Sequence, residues 1–434
     1  MELIIAFIIL VATIVIGVPV VYSFGLTSIW LVYSLGFDAS FVYTTMYSKM
    51  NGVVLLAIPL FIILGGVMEK GGVGSALVEM VEAFIGRLKG ALCFVASVAC
   101  AVFGAICGSG AATLSCIGSI LAPKMRDRKY PMGIAAAVLA CSAPIGMLIP
   151  PSSIQILIAW AGNLSVLRCF LATIIPGIIL TILIGIVGVV LCKKYPDIVV
   201  TEKLPLNQQA ARAGKKTLTA IPALVMPLIV LGGIYGGIMT PTEAAGVAIV
   251  YAIPVSIYIY KGIRWRDLGK TFRESAVTTG VIMVMLGTIM VVSRILVMNN
   301  VPSLILDGLL AVTNNNKYLV LLMINIFLVI IGMLMDDVSG TLLTAPILLP
   351  IGIALGISPY QMAAIMGVNL GMGNVTPPTA PFLYLGARIC KVDTKEMIKP
   401  MLLIILFAYL PTLLLTTYIP DMSLFLPNLL MGAE

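Results

Sequence analysis

Two short stretches, GMLIPPSS at residues 146–153 and GNVTPPTA at residues 373–380, interrupt apolar sequence 227 residues apart. That offset relates five positions of the first half of the chain to five of the second: Pro123, Gly146, Pro150, Pro151 and Ser152 to Pro350, Gly373, Pro377, Pro378 and Thr379. Proline removes a helical N–H donor and glycine allows unusual backbone dihedrals, so both residues break helices. Duplicated breaks in an apolar chain are typical of membrane carriers built from two repeats around a central site.

The composition of the whole chain is that of a membrane protein. Of its 434 residues, 60% are hydrophobic and 10% are charged, and the mean hydropathy is +1.13. A soluble domain of this composition could not cover its surface with polar groups, so we expect nearly every segment to face lipid or another membrane helix. The apolar run from Leu3 lacks the charged leading segment of a signal peptide, and we interpret it as the first span.

The residue types that carry most enzyme chemistry are absent or scattered. The chain has no histidine, which excludes histidine proton relays, zinc-protease motifs and Ser-His catalysis. Its eight cysteines form no CxxC pair and lie almost entirely in apolar runs, so we expect buried free thiols. No cofactor is therefore expected.

Apolar runs separated by charged clusters predict an all-α polytopic membrane protein with about ten spans. They lie near residues 3–18, 20–36, 52–68, 130–162, 169–192, 217–238, 242–260, 275–297, 360–389 and 400–420. Two further stretches, 91–123 and 318–350, are interrupted by GSGAAT from Gly108 and by DDVSG from Asp336. Because each half of these stretches, at roughly 10 to 18 residues, is too short to cross a core of about 30 Å, we predict two re-entrant helical hairpins.

Positive charge predicts the orientation of the spans. Five clusters hold 22 of the 26 Lys and Arg residues: Lys70–Lys89, Lys124–Lys129, Lys193–Lys216, Lys261–Arg273 and Arg388–Lys399. The ten-span topology puts all five on one side, which the positive-inside rule makes cytoplasmic, and both termini on the opposite side. The net charge of +8 then reflects topology and contact with membrane lipid, not nucleic-acid binding.

This topology makes the two halves inverted repeats. The first hairpin, flanked by Arg87, Lys89 and Lys124, enters from the cytoplasm, whereas the second, flanked by the uncharged segments Asn314–Asn316 and Gly352–Ser358, enters from outside. The predicted organisation is a first repeat (1–192, with an interfacial arm 71–89, hairpin 91–123 and broken helix 130–162), a cytoplasmic linker (193–216), and a second repeat (217–434, with arm 301–316, hairpin 318–350 and broken helix 360–389).

Helix ends that meet at mid-membrane leave backbone groups free to bind ions. The tips supply Gly108, Ser109, Gly110 and Thr113 in the first half and Asp336, Asp337, Ser339, Gly340 and Thr341 in the second, opposite the two breaks. Their carbonyl and hydroxyl oxygens suit a hard monovalent cation such as sodium. A single Pro-Pro pair would favour the alternative that the break only kinks a helix and has no function. Two pairs in register favour a paired ion or substrate site.

Three residues are candidates for contact with a solute: Ser153, Asp337 and Arg294. Adjacent aspartates on a helix point about 100° apart, so we expect one of Asp336 and Asp337 near the ion path. The other is expected either to cap a helix that starts at Ser339 or to face water. Arg294 either snorkels to the headgroups or contacts an anionic solute or another subunit.

Long motifs in order resemble the large membrane subunit of TRAP (tripartite ATP-independent periplasmic) transporters over essentially the whole chain. They are FGAICGSGAATLSCIGSILAPKM from Phe103, the GMLIPPSS break, MDDVSGTLLTAPILLPI from Met335 and GNVTPPTAPFLYLGA from Gly373. The resemblance implies a bacterial inner-membrane secondary transporter of the elevator type. It also implies uptake of an organic acid driven by a sodium gradient, a small membrane subunit of about four helices, and a periplasmic binding protein that delivers the solute.

The same resemblance places the sodium sites on the two tips and breaks. In this chain they fall on Ser109, Gly110, Gly146 and Ser152, and on Ser339, Gly340, Gly373, Thr376 and Thr379, with the anionic solute between them. Sialic acid is the favoured solute, and a C4-dicarboxylate or another carboxylate is the alternative. A passive channel and an intramembrane protease using Ser109 or Asp336 are further alternatives, which a continuous polar pore or a catalytic base would favour.

Overall fold

The computed structural model describes residues 1–85, 89–200 and 206–432, and every regular element in those ranges is a helix. Arg87, predicted to flank the first hairpin, lies outside the described residues, as do residues 86–88 of the predicted arm and 201–205 of the predicted linker. The all-α prediction is confirmed.

The described helices of the first half run from the N-terminus to the predicted linker. They are α1 (Glu2–Val15), α2 (Val20–Ser34), α3 (Ser40–Met50), α4 (Ala57–Lys70, after a 3-10 turn at Val53–Leu56), α5 (Val73–Ile85), α6 (Ala91–Cys107), α7 (Gly110–Asp127), α8 (Met132–Ser142), α9 (Ile145–Leu148), α10 (Ser153–Gly162) and α11 (Val166–Cys192).

The described helices of the second half repeat this order after the first few elements. They are α12 (Leu206–Tyr235), α13 (Pro241–Pro254, continued by a π-turn at Val255–Ile259), α14 (Trp265–Met298), α15 (Val301–Val312), α16 (Lys317–Leu334), α17 (Asp337–Ala354), α18 (Pro359–Gly373), α19 (Pro381–Cys390), α20 (Thr394–Ile404, continued by a π-turn at Ile405–Tyr409), α21 (Leu410–Tyr418) and α22 (Asp421–Met431). In each half a short arm helix, a helical hairpin and a broken helix follow one another.

Fewer segments are long enough to cross a membrane than the ten predicted spans. Among the described residues eight helices pass a length and hydropathy test, or nine if the bent pair 132–148 and 153–162, which meets at 44°, is one span. Two of the eight, α16 and α17, form the predicted second hairpin and are not among the ten predicted spans. The first two predicted spans are helices of 14 and 15 residues, about 21 to 23 Å long at 1.5 Å per residue. They are short because Gly17 has a φ of +92° and Pro19, just before α2, has no N–H to donate.

The length argument used for the hairpins is wrong for the second one. Its helices α16 and α17 each have 18 residues and are themselves long and apolar enough to cross. Each hairpin consists of two helices separated by two non-helical residues, which are Gly108–Ser109 in the first hairpin and Met335–Asp336 in the second.

The helices pack as a scaffold and a core. In the scaffold, the 34-residue α14 packs against α2, α3 and α4, and α13 joins α4 to α12. In the core, the hairpins pack on the broken helices, and α8 and α18 are almost completely buried. Large apolar side chains of the scaffold stay exposed, such as Ile29, Leu228 and Val250, which is expected of a lipid-facing surface.

The predicted arms and linker contain helices. The arm helix α5 packs on scaffold helix α12 and on hairpin helix α6, and α15 lies between α14 and α17. Two acidic residues of α5 form ion pairs: Glu79 with Lys216 at 2.6 Å, and Glu82 with Lys124 and Arg128 beside the first hairpin. The end of the predicted linker is not a loop, since α12 begins at Leu206.

Candidate functional site

The first hairpin turns at its tip through one glycine and one serine. Gly108 has a φ of +62°, a left-handed conformation that ends α6 at no steric cost for glycine. Ser109 is the N-cap of α7, and its hydroxyl accepts the Ala112 N–H at 3.5 Å. The Ser109 hydroxyl does not accept the N–H groups of Gly110 and Ala111, which lie in the first turn of α7.

This first tip is held against the first break by close backbone contacts. A Cβ on Gly108 would lie 2.4 Å from the carbonyl oxygen of Pro151, and one on Gly104 would lie 2.3 Å from the Cα of Gly146. The Ser153 hydroxyl donates to the Gly108 carbonyl at 3.0 Å, so it caps the end of α6 from across the interface. The predicted first-half residues are therefore brought together.

The remaining predicted residues of the first half lie on the same contact. A Cβ on Gly146 would lie 2.5 Å from the Thr113 hydroxyl, and one on Gly110 would lie 2.8 Å from the ring of Phe382 on α19. Ser152 is fully buried as the N-cap of α10 and accepts the Gln155 N–H at 3.3 Å.

The second tip uses a carboxylate where the first uses a hydroxyl. Asp336 is the N-cap of α17 and accepts the N–H groups of Val338 at 3.2 Å and Ser339 at 3.4 Å. The Ser339 hydroxyl is buried and contacts both Asp336 and, at 2.9 Å, the sulfur of Met285 on α14. Of the two aspartates, Asp336 is thus the cap, while Asp337 is the first residue of the helix.

The second break meets its hairpin as the first one does. A Cβ on Gly373 would lie 2.6 Å from the Cα of Gly332, which repeats the contact between Gly146 and Gly104. Two break residues cap carbonyls at the end of α16. Thr379 donates to Met333 O at 2.6 Å, and the Asn374 amide, when its nitrogen is assigned to the side facing the hairpin, donates to Gly332 O at 3.0 Å. The sequence analysis did not single out Asn374, although an amide side chain inside an apolar helix break is a usable signal.

The halves differ at the matched positions Ser152 and Thr379. Ser152 is buried as a helix cap, whereas Thr379 is exposed and precedes Ala380, the N-cap of α19. Thr376 donates to Met372 O at 2.6 Å. Gly340 packs against Leu370, whose side chain would lie 3.0 Å from a Cβ placed on Gly340.

Both tips face one cavity of about 550 Å³, which we call the tip cavity. It lies between the tips and scaffold helices α4 and α14, and its polar lining residues include Glu69, Lys70, Ser109, Ser115, Ser153, Thr271, Glu274, Ser275, Thr278, Asp336 and Asp337. Lys70 forms an ion pair with Glu274. The excess of carboxylates favours cations, so an organic anion there needs either bound cations or the positive N-terminal end of α7.

The tip cavity does not include every predicted solute residue. Ser153 and Asp337 line it, but Arg294 lines a separate cavity of about 460 Å³ toward the other end of α14.

The second tip contains a buried hydroxyl that forms no hydrogen bond within the described part of the chain. The Thr341 hydroxyl is completely buried and has no hydrogen-bond partner among the described residues. An unpaired buried hydroxyl costs about 1 to 3 kcal/mol, which a bound cation would remove. The hydroxyls of Thr376 and Thr379 give their protons to carbonyls and keep oxygen lone pairs free. These hydroxyl oxygens are of the kind that can coordinate a sodium ion.

Comparison with known families identifies the family of this chain. The family described as "Tripartite ATP-independent periplasmic transporter, DctM component" matches residues 7–422. The chain belongs to this family, whose members are multi-pass membrane permeases and not enzymes.

Several curated relatives are similar over most of the chain. It is 33% identical to the C4-dicarboxylate large permease DctM of Pseudomonas aeruginosa (88% of each chain) and 28% identical to the sialic acid large permease SiaM of Vibrio cholerae (96% of each). It is also 31% identical to the isethionate permease DctMQ of Oleidesulfovibrio alaskensis, over 95% of this chain and 64% of that protein. The fold resembles the solved YdaH transporter of Alcanivorax borkumensis, with a TM-score of 0.63, 17% identity and coverage of 88% and 89%.

Proposed function

We propose that this permease couples the entry of sodium ions to the uptake of an organic acid anion. The observation that carries the proposal is the tip cavity, because both hairpin tips and the scaffold line one space of about 550 Å³. A carrier needs such a space between duplicated broken helices, where helix ends offer dipoles and free backbone groups.

Sodium is assigned to the two tip-and-break contacts. In the first half the proposed residues are Ser109, Gly110, Gly146 and Ser152, and in the second they are Ser339, Gly340, Gly373, Thr376 and Thr379. The Thr341 hydroxyl, which has no hydrogen-bond partner in the described ranges, adds a further oxygen to the second set. Cations bound here would offset the carboxylates of the tip cavity, so sodium and an anion would bind cooperatively.

The solute is proposed to bind between the tips, near Ser153 and Asp337 and at the N-terminus of α7. The N–H groups of Gly110 and Ala111 suit a carboxylate. Sialic acid and C4-dicarboxylates both remain candidates, since relatives are named for each.

The proposed motion is an elevator movement of the core against α4 and α14. The protein would lie in the bacterial inner membrane with both termini in the periplasm and the basic clusters in the cytoplasm. A small membrane subunit of about four helices and a periplasmic binding protein would complete the tripartite system, and membrane lipid would cover the scaffold.

Uptake by proteoliposomes that contain all three components tests the proposal. Loading the binding protein with radiolabelled sialic acid or succinate and imposing an inward sodium gradient should give accumulation that saturates. A potassium gradient of equal size and a binding protein without solute are the controls. Accumulation that persists unchanged without sodium would refute the coupling, and flux that never saturates would favour a channel.

A further inference from the structure

Four basic residues stand apart from the rest of the positive charge of this chain. Of the 26 Lys and Arg residues, those outside the five predicted cytoplasmic clusters are Lys49, Arg168, Arg294 and Lys317. The predicted topology puts all four on the periplasmic side. Positive charge is scarce there by the positive-inside rule, so its placement is informative.

Two of these four, Lys49 and Arg294, line the cavity of about 460 Å³, which we call the outer cavity. No carboxylate is among the described residues that line it, and neither cation has an ion-pair partner in the described part of the chain. Each lies instead near an aromatic ring: Lys49 Nζ is 6.0 Å from the Trp160 ring centre, and the Arg294 guanidinium is 5.7 Å from that of Phe41.

The outer cavity lies where the scaffold meets the core. Lys49 on α3 and Arg294 on α14 belong to the scaffold, whereas Trp160 on α10 and Pro346 on α17 belong to the core. Along α14 the tip cavity extends to Ile282, the outer cavity begins at Met290, and buried residues lie between them: Met285, Leu286 and Ile289.

The charges of the two cavities are opposite in sign. The tip cavity has an excess of carboxylates, while the outer cavity has two cations and no acid among its described lining residues. A single cation near a membrane surface can be a headgroup anchor, but that role does not require two cations to converge on one concave space between moving parts. A guanidinium and an ammonium at one cavity are the donors that bind a carboxylate.

We propose that Lys49 and Arg294 form an outer capture site for the carboxylate of the organic anion before it reaches the tips. The inference rests on the proposed function and on the predicted orientation. Positive potential in a concave site raises the local concentration of an anion and its rate of entry. Arg294 thereby contacts solute at the entrance, and Lys49 is a residue that the sequence did not single out for this role.

Fluorescence quenching of Trp160 tests the site without a known solute. The chain has three tryptophans, so Trp30→Phe with Trp265→Phe leaves Trp160 as the only reporter, at the outer cavity. Iodide is the anionic probe and acrylamide the neutral one, both at constant ionic strength. In Lys49→Gln with Arg294→Gln, the iodide quenching constant should fall by about twofold or more, while the acrylamide constant stays unchanged.

Two matched variants complete the test. Lys317→Gln removes an exposed cation that lies over Tyr318 and away from the outer cavity, and it should leave iodide quenching as it was. Lys49→Arg with Arg294→Lys keeps both charges and should also retain it. Equal iodide quenching with and without the two cations would overturn the proposal, as would a parallel fall for iodide and acrylamide.

Transport separates this inference from the proposed function. With all three components present, the double glutamine variant should raise the external KM for the solute about fivefold, with kcat and the sodium concentration for half-maximal uptake changed less than twofold. Lys317→Gln should alter none of them. Absence of any sodium-driven uptake in the unmodified protein refutes the proposed function. An unchanged external KM in a double glutamine variant that still transports overturns the capture site and leaves the proposed function standing, as do the contrary quenching results above.

Discussion

Replacing Gly104 with alanine should force the first hairpin away from the broken helix that it contacts. The new Cβ would lie 2.3 Å from the Cα of Gly146 and 3.2 Å from its nitrogen. Because carbon atoms in contact are normally about 3.5 to 4.0 Å apart, two backbones would have to separate by more than about 1 Å. Neither is a flexible side chain that could move aside.

Two opposing effects determine how Gly104→Ala changes the free energy of unfolding. Overpacking of a close contact costs about 1 to 3 kcal/mol, and alanine gains up to about 1 kcal/mol over glycine inside a helix. We expect Gly104→Ala to be less stable by about 1 to 2 kcal/mol. If sodium binding at Ser109 and Gly146 needs the contact, a loss of about 1.4 kcal/mol lowers the sodium affinity about tenfold.

Gly246→Ala is the matched control for this change. Gly246 is inside α13, and nothing lies within 4 Å of a Cβ placed on it. The control should unfold at the same or a slightly higher temperature and keep the sodium dependence of uptake. Thermal unfolding in detergent and the sodium concentration for half-maximal uptake are the measurements. If Gly104→Ala behaves like the control in both, the packing argument is refuted.

Three further changes have expected outcomes. Ser153→Ala removes the 3.0 Å hydrogen bond to the Gly108 carbonyl and should lower stability by about 1 kcal/mol, with slower uptake; equal unfolding temperatures would contradict this. Asp336→Ala should cost about 1 kcal/mol through loss of the α17 cap whereas Asp336→Asn should not, as thermal unfolding will show. Burial alone would raise the pKa of Glu82, but Arg128 and a neighbouring lysine outweigh it and hold that pKa below its ordinary value. Glu82→Gln should therefore lower the free energy of unfolding by about 1 kcal/mol at pH 7. The difference in unfolding free energy from the unmodified protein should shrink as the pH falls below about 4.5. A difference that stays constant from pH 7 to pH 4 in denaturant unfolding would contradict this expectation.

Local helix-breaking residues made much of the fold predictable. Gly108, Pro150 and Pro377 interrupt apolar runs, and the structure has a hairpin tip or a helix break at each. These breaks depend on the residue itself, on a missing N–H or a positive φ, and therefore appear in the sequence without knowledge of packing. Capping is also a local property, because it depends on a side-chain oxygen that accepts backbone N–H groups, and Asp336 is the aspartate that caps α17.

Contacts between distant segments were not predictable in this way. Glu69 on α4 and Glu274 on α14 line the tip cavity beside residues of both hairpins, but no local pattern connects them to those hairpins. The contacts of Gly104 with Gly146 and of Gly332 with Gly373 likewise depend on how the helices cross. Arg294 was grouped with Ser153 and Asp337 by its charge alone, and the structure places it at another cavity.

Sodium binding at equilibrium tests the account most directly, because the tips and breaks are proposed to hold that ion. Thr341→Val replaces the buried hydroxyl of the second tip with a methyl group of similar size, and Ser423→Ala removes a buried hydroxyl on α22, away from the tips. Neither hydroxyl has a hydrogen-bond partner among the residues that the structure describes. We predict saturable sodium binding by the unmodified protein, an affinity about tenfold lower in Thr341→Val, and no change in Ser423→Ala. The absence of saturable binding, or equal affinities in all three proteins, would contradict the assignment of the tips as the sodium sites.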